Sequence, residues 1–149
     1  IERRFEFKGN HKGTDIFDDY GHHPTEIKKT LQIAQQRVKN NLHVIFQPHR
    51  FSRTQKLWEQ FVETFANNKQ IKTLILTDIS PANEQPIPKI NSQNLAKAIK
   101  QKNPNINVIY LSSHDEIIKN ISPKLKNGDL LLTVGAGKIN KVGEKLISK

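Results

Sequence analysis

Leu42-His43-Val44-Ile45-Phe46-Gln47-Pro48-His49-Arg50-Phe51-Ser52-Arg53-Thr54 decides the fold, because an apolar run of strand length breaks into a dense polar run that in turn feeds a helix. Leu42 to Phe46 reads as a buried strand. Ser52-Arg53-Thr54-Gln55 reads as a capping box opening the helix that follows. In that helix Leu57, Phe61 and Phe65 recur at every fourth position, and Trp58 and Val62 widen the stripe, so one face is apolar enough to dock on a sheet.

The same unit recurs outward in both directions. Upstream, a strand around Thr14 to Phe17 runs into Asp18-Asp19-Tyr20-Gly21-His22-His23-Pro24-Thr25-Glu26, and the helix after Pro24-Thr25 places Ile27, Leu31, Ala34 and Val38 on one face. Downstream, a strand over Thr73 to Ile79 enters the proline-broken loop Ser80-Pro81-Ala82-Asn83-Glu84-Gln85-Pro86-Ile87-Pro88, then a helix near Asn94 to Lys100 carrying Leu95, Ala96 and Ile99. Asn107 to Leu111 is the next strand, followed by a second capping box, Ser113-His114-Asp115-Glu116, and by Ile117, Ile118, Ile121 and Leu125. Leu130 to Val134 is the last strand and leads through Gly135-Ala136-Gly137-Lys138 to a final helix. Strands alternating with amphipathic helices in this way build an α/β fold, a doubly wound and mostly parallel sheet with flanking helices.

A chain of 149 residues fits one domain with a core of its own and needs no staples. There is no cysteine, which excludes disulfides and thiolate metal sites. Runs such as Leu74-Ile75-Leu76 are far too short to cross a bilayer, and Ile1-Glu2-Arg3-Arg4 does not open a signal peptide, so the expectation is a cytoplasmic protein without a membrane partner. With 24 Lys+Arg against 14 Asp+Glu, the formal charge of +10 favours an anionic partner. The lysines are scattered, however, and aromatics are not interleaved with them, which describes a solvated surface better than a nucleic-acid footprint.

Ligands of doubly wound sheets lie outside the carboxyl ends of the strands, and every chemically loaded loop here leaves such an end. Arg50 and Arg53 offer two guanidinium forks to a carboxylate or phosphate, beside the main-chain donors of a helix expected to begin near Thr54. Positive charge in a first helical turn opposes the macrodipole and is a poor choice for stability alone. His22, His23 and His49 lack the spacing of a zinc helix, so hydrogen bonding to a substrate suits them better than metal binding. Asp19 fits three roles: accepting ribose hydroxyls, coordinating a hydrated cation, or taking a turn amide. Gly135-Ala136-Gly137 would need a glycine at Asn140 to complete a dinucleotide fingerprint, and reads instead as a tight strand–helix turn.

These residues resemble the carboxyl-terminal domain of the Mur ligases, closest to the branch that adds L-alanine. The resemblance runs from Arg3-Arg4-Phe5-Glu6 through Asp18 to Glu26 and Phe46 to Thr54, and on through Pro81 to Pro88 and Gly135 to Gly137, so that residues 1–149 form a single Rossmann-like Mur ligase domain. Asn83, Lys89 and Asn140 stand where relatives usually carry glycine, which puts the local turn geometry in question. The resemblance implies ATP-dependent ligation in peptidoglycan synthesis. The carboxylate of UDP-N-acetylmuramate attacks the γ-phosphate of ATP, and the amine of L-alanine displaces phosphate from the resulting acyl phosphate, with Mg2+ clamping the phosphates.

It also implies that Arg4 reaches toward the γ-phosphate, that Asp19 holds the ribose and that Tyr20 lines the nucleotide and amino-acid side of the cleft. His22, His49, Arg50 and Arg53 would then surround L-alanine and its carboxylate. No G-x-x-x-x-G-K-[ST] phosphate loop occurs, so the chain is expected to be a fragment, inactive alone, whose amino-terminal UDP-binding and central ATPase domains are its partners and hold most of the ATP and Mg2+ contacts. Two alternatives stand beside this reading: the recycling ligase that joins a ready-made tripeptide to UDP-N-acetylmuramate, and a stand-alone basic module for nucleotide or nucleic acid.

Overall fold

Alternation along the strands divides the interior into two cores. The computed structural model describes residues 3–149, so Ile1 and Glu2 lie outside the described residues. In chain order the elements are β1 (Glu6–His11), β2 (Thr14–Asp19), α1 (Pro24–Arg37), β3 (Leu42–Phe46), α2 (Phe51–Lys56), α3 (Trp58–Ala66), β4 (Ile71–Leu76), α4 (Ser92–Lys102), β5 (Asn107–Tyr110), α5 (His114–Ile121), β6 (Leu130–Val134) and α6 (Asn140–Ile147). The strands form one sheet in the order β1-β2-β6-β3-β4-β5. Leu42, Val44 and Phe46 of β3 pack with Leu74, Leu76, Leu130 and Leu132 against the apolar faces of α1, α3 and α4. Ile45, Ile75, Ile16 and Leu131 point the other way and meet α5 and α6.

All strand pairs are parallel except β1 with β2. The antiparallel β1 is an addition to the sequence reading. It joins β2 through Lys12 at φ 53° and Gly13 at φ 87°, the two positive angles that a two-residue hairpin of type I′ demands. Glu6-Phe7-Lys8-Gly9-Asn10-His11 carries one large apolar side chain, so as an edge strand it has no hydrophobic pattern to announce it.

Two helix starts differ from expectation. His23 caps α1, its ring Nδ1 accepting from the Thr25 amide at 3.2 Å, while Glu26 accepts from the His22 and His23 amides at 3.3 and 3.2 Å. The capping box expected at Ser52 is absent: α2 begins at Phe51 with Arg50 in the cap position and no side-chain cap of its own. The continuous helix expected beyond it breaks at Leu57, whose φ of −107° and ψ of 19° separate α2 from α3. The box at Ser113 does form, its Oγ accepting from the Glu116 amide at 3.1 Å.

The substituted glycine positions keep glycine-like geometry in the β4–α4 loop, with Asn83 at φ 71° and Lys89 at φ 69°. Asn140 is the ordinary first residue of α6.

Candidate functional site

Four strands, β2, β6, β3 and β4, end at one edge of the sheet, and hydrogen bonds between their exits join the loops into a single surface. The Gly135 amide donates to the Asp19 carbonyl at 3.0 Å, and the Gln47 amide donates to the Val134 carbonyl at 3.0 Å. The Arg50 amide donates to the Ser80 carbonyl at 2.8 Å, and the Ser80 amide donates to the Pro48 carbonyl at 2.9 Å. The glycines of Gly135-Ala136-Gly137 answer to this crowding rather than to a dinucleotide. A Cβ on Gly135 would stand 2.8 Å from the Gln47 carbonyl oxygen, and one on Gly137 would stand 2.6 Å from Gln47 Oε1.

On this surface Tyr20, His22 and His49 form an aromatic row, with Tyr20 and His22 edge to face at 5.7 Å and His22 and His49 at 5.9 Å between ring centres. Arg50 and Arg53 lie close enough to His49 for their charges to act on it. Burial, followed by the charges of His22, Arg53 and Arg50, holds the His49 imidazole below its ordinary value, and Glu84 opposes them. It is therefore neutral at physiological pH. Arg50 sits at φ 72°, a conformation that costs a non-glycine residue about 1–2 kcal/mol. The structure thus brings Tyr20, His22, His49, Arg50 and Arg53 together.

Asp19 and Arg4 stand differently. Asp19 is 4% exposed, and its carboxylate organises main chain: Oδ1 accepts from the Gly21 amide at 2.7 Å and Oδ2 from the Phe5 amide at 2.8 Å. That is the turn role, although each oxygen keeps a second lone pair. Arg4 is exposed at the rim, with Nη1 3.6 Å from Glu26 Oε2. Its neighbour Arg3 is a structural clasp, bonded to Asp18 Oδ2 and to the Gly135 carbonyl at 2.8 Å each, with its guanidinium 5.1 Å over the Tyr20 ring. His23 is accounted for as the cap of α1.

Sequence reasoning missed Glu84. From the β4–α4 loop it accepts from the Ser52 amide at 3.0 Å and from the Ser52 hydroxyl. The main-chain donors expected to face a ligand at the start of α2 therefore already carry a carboxylate. Ser52, the Phe51 amide and Arg50 together hold that carboxylate below its ordinary range. Among the described residues no three His, Cys, Asp or Glu side chains gather as a metal site. No described helix is long and apolar enough to cross a membrane.

The chain belongs to the Mur ligase family: the family described as Mur ligase, glutamate ligase domain, matches residues 3–137. Among curated proteins, UDP-N-acetylmuramate--L-alanine ligase of Nitratidesulfovibrio vulgaris (strain DP4) is 44% identical over 149 residues, covering 99% of this chain and 32% of the relative. The chain thus spans about a third of that relative's length. Among solved structures, UDP-N-acetylmuramate-alanine ligase MurC from Thermotoga maritima superimposes with a TM-score of 0.72 at 22% identity, covering 99% of this chain and 30% of that one. A murein peptide ligase from Psychrobacter arcticus gives a TM-score of 0.74 at 26% identity over the same shares.

Proposed function

We propose that this chain is the carboxyl-terminal domain of an ATP-dependent carbon–nitrogen ligase that joins L-alanine to UDP-N-acetylmuramate in cytoplasmic peptidoglycan synthesis. The observation that carries the reading is the gathering of Tyr20, His22, His49, Arg50 and Arg53 on one exit surface, in a chain 44% identical to an enzyme named for that reaction. An oxygen of the sugar's lactyl carboxylate attacks the γ-phosphorus of ATP, the bond to ADP breaks, and an acyl phosphate forms. The amino nitrogen of L-alanine then attacks the acyl carbon, phosphate leaves, and the nitrogen loses a proton. Magnesium, which the central domain would hold, would supply charge neutralisation on the phosphates.

The residues of this chain bind and orient. Arg50 and Arg53 take the carboxylate of L-alanine through paired charge-assisted bonds. Neutral His49 bonds to the same group without adding a further charge, and His22 and Tyr20 wall the opposite side. Arg4, exposed at the rim, reaches toward the γ-phosphate, and the remaining lone pairs of Asp19 take a ribose hydroxyl. Because Tyr20 is 42% exposed and Arg50 is exposed as well, the site is an open shelf. Closure of the domain over the nucleotide-bearing central domain excludes water from it.

The test is phosphate release by the complete parent polypeptide with ATP, magnesium and UDP-N-acetylmuramate, supplied with L-alanine or with the recycled tripeptide in separate reactions. Release dependent on L-alanine is expected. Arg53→Ala should raise the KM for L-alanine about tenfold or more, the scale of one lost charge-assisted pair, while the KM for ATP holds. An unchanged KM for L-alanine sinks the assignment, and dependence on tripeptide moves it to the recycling enzyme. Release with neither substrate, together with nucleotide affinity that collapses as salt is raised, would mark a basic binding module instead.

A further inference from the structure

The Glu84 amide closes a turn on the Pro81 carbonyl at 3.0 Å, but its carboxylate is bonded outside its own loop. It reaches across to the first turn of α2 and accepts there from the amide and hydroxyl of Ser52. Two further bonds tie the same loops together, from the Arg50 amide to the Ser80 carbonyl and from the Ser80 amide to the Pro48 carbonyl. His49 and Ser80 form a lone parallel bridge between them. The α2 start needs such help: its cap residue is Arg50, at φ 72°, it has no acidic residue in its first turn, and Arg53 adds positive charge to a positive helix end. Within α2 the Thr54 amide and hydroxyl donate to the Arg50 carbonyl at 3.2 and 2.7 Å, but no side chain at the cap position accepts from the amides of the first turn, and Glu84 fills that role from outside the helix. Among the described residues Glu84 makes no ion pair with either arginine, although the Arg50 charge acts on its carboxylate, so their guanidinium forks stay open.

Resting on the ligase reading above, we infer that Glu84 is a positioning residue, a carboxylate clamp from the β4–α4 loop that sets Arg50 and Arg53 for the carboxylate of the incoming amino acid. It does not touch the substrate carboxylate itself. Its effect passes through the Ser52 and Phe51 main chain to the cap residue Arg50, and one turn on to Arg53.

The clamp is tested in the complete enzyme with Glu84→Ala and Glu84→Gln, measuring phosphate release while L-alanine and ATP are varied in turn. Glu84→Ala removes the acceptors and should raise the KM for L-alanine about tenfold, with the KM for ATP and the thermal midpoint unchanged within error. Glu84→Gln keeps one oxygen for the Ser52 amide and offers its own amide to the Ser52 hydroxyl, so it should recover most of that loss.

A KM for L-alanine unmoved in Glu84→Ala, a rise shared equally by ATP and L-alanine, or a Gln variant as poor as the Ala variant would each overturn the inference. If the wild-type enzyme shows no release dependent on an amino acid, the ligase reading falls by itself. The clamp is then judged by hydrogen exchange of the Ser52 amide, which must accelerate in Glu84→Ala and stay slow in Glu84→Gln.

Discussion

Gly135 and Gly137 are two residues apart in the same turn, yet alanine should act very differently at each. At Gly135 the added Cβ would lie 2.8 Å from the main-chain carbonyl oxygen of Gln47, and φ is +150°. Holding alanine in that conformation costs about 1–3 kcal/mol, and forcing two backbones apart costs about as much again, so Gly135→Ala should lose roughly 4 kcal/mol. At Gly137 the Cβ meets the free end of a side chain, Gln47 Oε1, at 2.6 Å. Gln47 can swing away, giving up its 3.1 Å bond to the Asp78 carbonyl. That loss is about 1 kcal/mol and is partly offset by the lower entropy of an unfolded chain carrying alanine, so Gly137→Ala should fall within about 1 kcal/mol of wild type. The assay is urea denaturation of the 149-residue chain followed by its one tryptophan, Trp58, with far-UV dichroism as the check on two-state behaviour. Equal losses for the two variants, or a Gly135→Ala chain within about 1 kcal/mol of wild type, would refute the reasoning, because the distinction rests on backbone against side chain.

Other outcomes follow from the same geometry. Asp129, its side chain fully buried, accepts from His43 Nε2 at 2.9 Å and from the Asn41 and Lys126 amides at 3.0 and 3.1 Å. Asp129→Ala strands all three donors and should cost about 3–5 kcal/mol in urea denaturation, whereas a loss below about 1 kcal/mol would mean that the donors find other partners. Burial, with Lys145 beside it, holds His114 below its ordinary 6.5, and burial with nearby cations does the same to His49. The unfolded chain therefore binds more protons as pH drops below 6.5, and stability should fall across that window and level off below the folded values; His114→Gln should flatten the slope in a pH series of urea midpoints. Burial first and the Asp78 carboxylate second push the Tyr110 hydroxyl up to about 12, so ultraviolet titration should find it un-ionised well beyond the ordinary 10.0, and Asp78→Asn should bring it down.

The doubly wound core was legible because each strand is short and apolar and each helix carries a stripe: Ile27, Leu31 and Ala34, or Ile117, Ile118 and Ile121, need only a period to be recognised. The pieces that escaped depend on contacts distant in sequence or on polar chemistry. β1 is an edge strand held by pairing with β2 rather than by burial, so its sequence reads as loop. The α2 start was misplaced because sequence rules look for a cap within the helix's own first turn, whereas its carboxylate arrives from Glu84, 32 residues later. That Tyr20 and His22 would lie beside His49 was legible because both runs, Tyr20 to His22 and His49 to Arg53, leave the carboxyl ends of strands in one sheet. The loop that joins those runs to Glu84 was not.

That loop contains its own argument for a role beyond connection. Asn83 and Lys89 take positive φ without being glycine, and for lysine the left-handed region costs about 1 kcal/mol or more. Both angles belong to hydrogen-bonded turns: the Glu84 amide donates to the Pro81 carbonyl at 3.0 Å around Ala82 and Asn83, and the Ile90 amide donates to the Ile87 carbonyl at 3.0 Å around Pro88 and Lys89. The loop that carries these two turns is also tied down at both ends of its polar stretch. Ser80 bonds to Arg50 and Pro48 on one side. On the other, Asn94 Nδ2 donates to the Lys89 carbonyl at 2.8 Å. Between these pins Glu84 projects onto Ser52. Two tight turns and two tied ends thus fix the course of the loop, and that fixed course is what lets a carboxylate 32 residues away in sequence meet the Ser52 amide.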